Sequence, residues 1–180
     1  MNHLLNEEQF PAGFLPAWFE ARRRHALEQA EQLPEPSRHM ESWRFGAPGN
    51  ESLEHVEAAP PAALETLAPI IRERASMTEA FRIVYANGLP VSIPEELPEG
   101  LSVMDMEDFV LQCPDTARKY LETETETLGS EKLSALATAF QHNGLVIMAD
   151  REISLPLEIL HFISGDNVAV FPSTLLIAET

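Results

Sequence analysis

The chain has 180 residues, 44% of them hydrophobic, with a formal net charge of −17 and a pI near 4.6. That length suits one ordinary domain or two small ones, and that hydrophobic fraction excludes disorder throughout. So acidic a surface repels phosphate backbones and anionic bilayers, which argues against nucleic acid or a membrane as partner.

Residues 1 to 14, MNHLLNEEQFPAGF, read as a loose acidic lead-in without the basic start and apolar core of a signal peptide. Ala17 to Leu33 is the strongest predicted helix. Trp18, Phe19, Ala26, Leu27, Ala30 and Leu33 fall on one face, Pro16 opens the segment and Pro34 ends it. Glu20 with Arg24, and Arg24 with Glu28, are spaced for i,i+4 pairs, so the Arg22-Arg23-Arg24 run reads as a solvated helix face.

Residues 34 to 62 are punctuated by Pro, Gly and Ser and are expected to be mostly extended or irregular, with a turn at Ser37. Trp43 and Phe45 are expected to anchor this segment on a domain surface. Ala63 to Leu67 reads as one or two helical turns before Pro69. Phe81 to Ala86 is a predicted strand, Asn87-Gly88 the turn of a hairpin, and Leu89 to Ile93 the return, with Pro90 marking an edge. Pro94 to Gly100 is a turn region. Met106 to Gln112 and Asp115 to Leu121 are short helices separated by Pro114. Thr123 to Thr127 is a surface loop, and Ser130 caps a helix from Glu131 to Phe140. After Asn143-Gly144, strands are expected at Leu145 to Ala149, Leu157 to Ile163, Val168 to Phe171 and Thr174 to Glu179. Leu157, Ile159 and Ile163 are read onto one face, Leu160 and Phe162 onto the other. The division into regions is 1–80, helical and extended, and 81–180, β-rich.

Chemistry is sparse. Cys113, the one cysteine, excludes an intramolecular disulfide and a Cys-rich metal site, and reads as a packed thiol. The histidines, His3, His25, His39, His55, His142 and His161, make no HxH, HxxxH or HExxH spacing. His161, among apolar strand residues, is the one worth following, as a hydrogen-bonded or ligating side chain. His39 with Glu41 is a weak pair. There is no phosphate-binding glycine loop and no nucleophile elbow. Catalytic, cofactor-binding and metal residues are therefore none, and no apolar run reaches the ~20 residues of a membrane span. A cytoplasmic, non-enzymatic protein is the expectation.

Several ordered segments resemble the N-terminal part of the SufB/SufD family of iron–sulfur cluster assembly proteins, nearer SufD. They are Leu33-Pro34 with Glu41-Ser42-Trp43-Arg44-Phe45, the hairpin from Ile83 to Gly88, Leu97 to Phe109, Leu133 to Phe162, Phe171-Pro172, and Leu175 to Glu179. Ala137 stands where the family commonly has Asn, and Gly46 where it has Thr. The resemblance implies an α+β chain, with a helical N-terminal region followed by the first strands of a right-handed parallel β-helix. It implies a scaffold subunit that binds a SufB-like partner, and a SufC-type ATPase only through a C-terminal region absent here. The alternatives are a small cupin-like enzyme or ligand-binding domain, and a stand-alone dimerisation module. The strand from Thr174 carries no cover after it, so the chain is expected to be a fragment or to complete itself with another chain. In isolation a homodimer is expected, with Val168, Val170, Leu175 and Ile177 held out of water.

Overall fold

A computed structural model of the chain describes residues 15–45, 56–60, 62, 64–77, 79–123, 131–141 and 144–178. Residues 1–14, most of the Thr123 to Thr127 loop, Ser130, Asn143 and Glu179 lie outside the described residues, as do His3, His55 and His142. The elements in order are α1 (Ala17–Gln32), a single 3₁₀ turn (Glu41–Trp43), β1 (Glu57–Ala58), α2 (Leu64–Met77), β2 (Phe81–Ala86), β3 (Leu89–Ser92), β4 (Leu101–Asp105), α3 (Met106–Gln112), α4 (Pro114–Leu121), α5 (Glu131–Ala139), β5 (Leu145–Ala149), β6 (Leu157–Phe162), β7 (Val168–Ala169) and β8 (Thr174–Ala178). They form two compact units. One comprises Met1–Ala58 and Glu107–His142, the other Ala59–Met106 and Asn143–Thr180.

In the first unit, α1 begins on the carbonyl of Pro16, which accepts from the amides of Phe19 and Glu20 at 2.9 and 3.1 Å. It ends where Leu33, forced out of helical geometry before Pro34, turns extended. Its buried stripe is Phe19, Arg23, Ala26, Leu27 and Ala30. α5 buries Lys132, Ala135, Leu136 and Ala139 and packs along α1. The two helices run antiparallel, and each sends a buried cation to the other's C-terminus. Arg23 Nε donates to the Ala139 carbonyl at 2.9 Å. Lys132 Nζ donates to the carbonyls of Ala30 and Leu33 at 2.9 and 3.0 Å. Helix C-termini leave carbonyls without partners and a negative dipole end, so a cation there answers both.

The arginine run is therefore a solvated face only in part: Arg24 is exposed and Arg22 half-buried, but Arg23 is not on that face. Arg23 is fully buried, and Glu20 pairs with it across one helical turn at 3.2 Å. Burial lowers its pKa from the ordinary arginine value, with Glu20 opposing the shift. Arg22 donates to Gln141 at 2.8 Å. Phe45 anchors nothing among the described residues, for it is 95% exposed, with the Arg44 guanidinium 5.3 Å above its ring. Ser37 does start a turn, closed by Met40 N–H on its carbonyl.

In the second unit, α2 continues through Pro69 to Met77 rather than stopping before it. An interior proline removes one backbone bond and costs ~3 kcal/mol. The residues beyond it, Arg72, Glu73 and Arg74, are good helix formers, and Arg74 fastens the far end by donating to Glu158 at 2.8 Å.

Two three-stranded sheets form the body of this unit, in the orders β3-β2-β6 and β4-β5-β8. Each combines an antiparallel pair, β2 with β3 and β4 with β5, and a parallel pair, β2 with β6 and β5 with β8. β2 turns into β3 at Asn87 and Gly88, whose φ values of 49° and 81° are both in the left-handed region. That is what a two-residue hairpin turn requires, and why Asn-Gly signals it. Pro90 sits on the edge strand β3, where its missing N–H costs least.

Strand β4 escaped the sequence reading, which joined the turn ending at Gly100 directly to the helix at Met106. Its alternation, Leu101 and Val103 inward with Ser102 exposed, was the available signal. Ile83, Tyr85, Leu101, Leu145 and Ile147 are the buried centre between the sheets, with Val103, Leu157 and Ile159 packed against it. Ile163 is not among the residues packed against that centre. It lies beyond the end of β6 and is 61% exposed.

From β5 the chain crosses to the other sheet as β6, then returns as β8 beside β5. Leu145 pairs in parallel with Thr174, a turn of 29 residues.

Candidate functional site

Residue pairs that are neighbours in a parallel register share a face of the sheet. Leu176 is opposite Ile147 and therefore faces the inner side, where Ile147 is buried. His161 is opposite Tyr85 and likewise faces inward. Yet Leu176 is 64% exposed and His161 is also exposed. The inner face thus runs out past its cover at β6 and β8, the outer strands of their sheets on the side away from the hairpin and β4. Leu175 and Ile177 point the other way, in register with Val146 and Met148, and Ile177 is already buried within the chain. The apolar residue offered to solvent on β8 is Leu176, not Ile177.

Strand β8 itself is uncharged. Thr174 to Ala178 carries no ionisable side chain. On β6, Glu158 is held between Arg82 and Arg74, which donate to its two carboxylate oxygens. Those bonds hold its carboxyl below the ordinary carboxylate range, the Arg82 bond being the largest cause. The His161 ring lies 5.3 Å from the Tyr85 ring, and loss of water there holds its pKa below the ordinary value. Tyr85 itself is pushed up to about 12, by burial first and by the Asp105 charge second.

The first unit carries a second concavity, a groove of about 810 Å³ beside α1, the end of α4 and the start of α5. Trp18 stands in its wall. Arg118 stacks 4.9 Å over the Trp18 ring, and the indole Nε1 is buried without a hydrogen-bond partner among the described residues. Arg22 and His25 face Glu122 and Glu131 around the lining. The lining thus mixes one arginine with two glutamates and marks no single ligand class.

His161 is the only histidine on a described strand. His25 is on α1 and His39 in a turn, so the structure brings none of the three together. Cys113 is half-buried and precedes the first turn of α4. Among the described residues, no three of His, Cys, Asp and Glu converge into a set able to hold a metal ion. No described helix is long and apolar enough to cross a membrane. The sequence reading missed the buried cations Arg23 and Lys132. The signal was there: each interrupts an apolar helical stripe at a position where a hydrophobic residue belongs.

No family model matches the chain. The chain is similar to the iron–sulfur cluster assembly protein SufD of Bacillus subtilis (strain 168), with 25% identity over 174 residues. That match covers 91% of this chain, which spans 39% of the length of the relative. The similarity supports at most a SufB/SufD-like relationship.

Proposed function

We propose that the chain is a non-enzymatic scaffold element of iron–sulfur cluster assembly, corresponding to the N-terminal portion of a SufD-like subunit. The observation that carries this reading is the SufD similarity, which runs across residues of both units rather than through one short motif. The 29-residue turn from β5 through β6 to β8 supports it, since a parallel turn of this kind is the repeating unit of a β-helix. On this reading the chain works by presenting surfaces to a SufB-like partner or to itself. It holds no cluster of its own, because one thiol cannot supply the usual thiolate set. A SufC-type ATPase is engaged through a region outside these 180 residues.

A hybrid tests the proposal. The segment of Bacillus subtilis SufD that matches this chain is replaced by residues 1–180, and maturation of an iron–sulfur enzyme is measured in cells lacking SufD. Restored maturation is expected. A hybrid that accumulates as folded protein yet restores nothing would overturn the scaffold reading.

A further inference from the structure

Helix α2 is held differently on the two sides of Pro69. On the near side Leu67 is buried. From Pro69 onward, Pro69, Ile70, Arg72, Glu73 and Arg74 are exposed and Ile71 is half-buried. The proline withdraws one backbone donor and crowds the carbonyl four residues back, so the two parts of the helix are weakly coupled through their backbone. Ile70 to Met77 is shorter than the ~12–15 residues an isolated helix needs to persist in water. It therefore depends on tertiary ties, and the tie that Arg74 makes is polar and at the surface.

That tie is built to open. Glu158 divides its carboxylate between two arginines. One oxygen accepts from Arg74 of α2 at 2.8 Å, the other from Arg82, its register partner on β2. The Arg74 side chain is 47% exposed and that of Arg82 12%. If Arg74 leaves, its guanidinium enters water while Arg82 still neutralises Glu158. Neither arrangement strands an unpaired buried charge, which is the usual penalty for breaking such a pair. Glu158 alternates along β6 with Leu157 and Ile159, which pack on the buried centre. The tie is thus on the opposite face of the sheet, and its release leaves that centre intact.

We propose that α2 beyond Pro69 is a strap with a latched and a released state, with Arg74 on Glu158 as the latch and ionic strength setting the balance. Released, the segment swings about Pro69 away from the outer face of β6, while Leu67 keeps the near part of α2 seated. The strap stands on this chain's own side chains and does not rest on the scaffold reading.

Hydrogen exchange of the full chain, read segment by segment, tests it. Amides of Ile70 to Met77 should exchange about tenfold faster in Arg74→Gln than in the unsubstituted chain, with those of β2 and β6 unchanged. In the unsubstituted chain, raising salt from about 0.05 M to about 0.5 M should speed the same amides relative to β2 and β6. Arg72→Gln removes an equal charge from the same helix but loses a bond to the Ala68 carbonyl within it, and should change exchange by less than about twofold. Pro69→Ala returns a backbone donor at the pivot and should slow exchange beyond it. Unchanged rates in Arg74→Gln would overturn the proposal. So would β2 and β6 speeding up together with α2, which would make Arg74 an ordinary stabilising contact, or a segment indifferent to salt.

Discussion

In the helical unit the carbonyls left over where α1 and α5 end are met by buried cations from the opposite helix. In the two-sheet unit the backbone groups along β6 and β8 find no strand to pair with among the described residues. The difference is geometric. A helix strands a few polar groups at each end, within reach of one long side chain. An edge strand strands them along its whole length, beyond the reach of one side chain, where water, a loop or another strand must answer them. The first unit thus meets stranded groups with two side chains, whereas in the second β6 and β8 keep an edge without a strand partner among the described residues.

Removing one of those two side chains should break the comparison most sharply. Arg23→Met is expected to cost about 3 kcal/mol, because it leaves the Ala139 carbonyl buried without this donor and takes the partner from Glu20. Urea titration followed by far-ultraviolet circular dichroism measures this. A loss below about 1 kcal/mol would show that the interlock contributes no more than an ordinary surface contact.

A loss of similar size is expected from Ile83→Ala, at about 2–4 kcal/mol, since Ile83 is fully buried between the sheets. The companion change Leu176→Ala should alter the stability of a single chain by less than about 0.5 kcal/mol. Equal costs at the two sites would mean that the inner face does not end where the exposures place it.

Lys132→Met removes two charge-assisted bonds from the end of α1, at about 2 kcal/mol. Exchange of the α1 amides near Ala30 should rise before those near Phe19. Uniform exchange along α1 would contradict a capping role.

The smallest effect is a pH dependence. His161 has a folded-state pKa below its unfolded value, so the unfolded chain binds the extra proton first. Its contribution is fully present above the unfolded value, near pH 6.5, and is lost as pH falls through that value toward the folded one. Melting temperature should therefore drop on acidification through this window, and His161→Phe should flatten the drop. A variant with an unchanged pH profile would remove His161 as the cause.

Much of the second unit was legible because its signals are local. Asn87-Gly88 names its own turn, Pro90 its own edge, and Leu145 to Ala149 its own strand. What was hidden depends on distant partners. Arg23 is an ordinary surface residue in its own helix, and becomes a buried one only because Ala139 lies opposite it 116 residues later. Pro69 would stop an isolated helix, but the ion pair at Arg74 holds the far side of it. Which side of β8 would face water depends on its register with β5, because alternation alone leaves Leu176 and Ile177 equally eligible. As a candidate site, the uncovered edge could be anticipated from a strand lacking cover, but the pairing of Glu158 could not, since it depends on Arg74 and Arg82 reaching it from distant segments.

The turn at Asn87 also bears on how the protein ages. An asparagine before glycine is open to ring closure, in which the glycine nitrogen attacks the side-chain amide carbon and ammonia leaves. That attack needs the side chain free to swing toward its own backbone. Here Nδ2 donates to the carbonyls of Pro60 at 2.7 Å and Ser164 at 3.0 Å, and Oδ1 accepts from Ser164 N–H at 2.8 Å. The bonds that tie the hairpin to its neighbours therefore also shield it from deamidation, and a molecule that loosened at this corner would begin to acquire an extra negative charge with time.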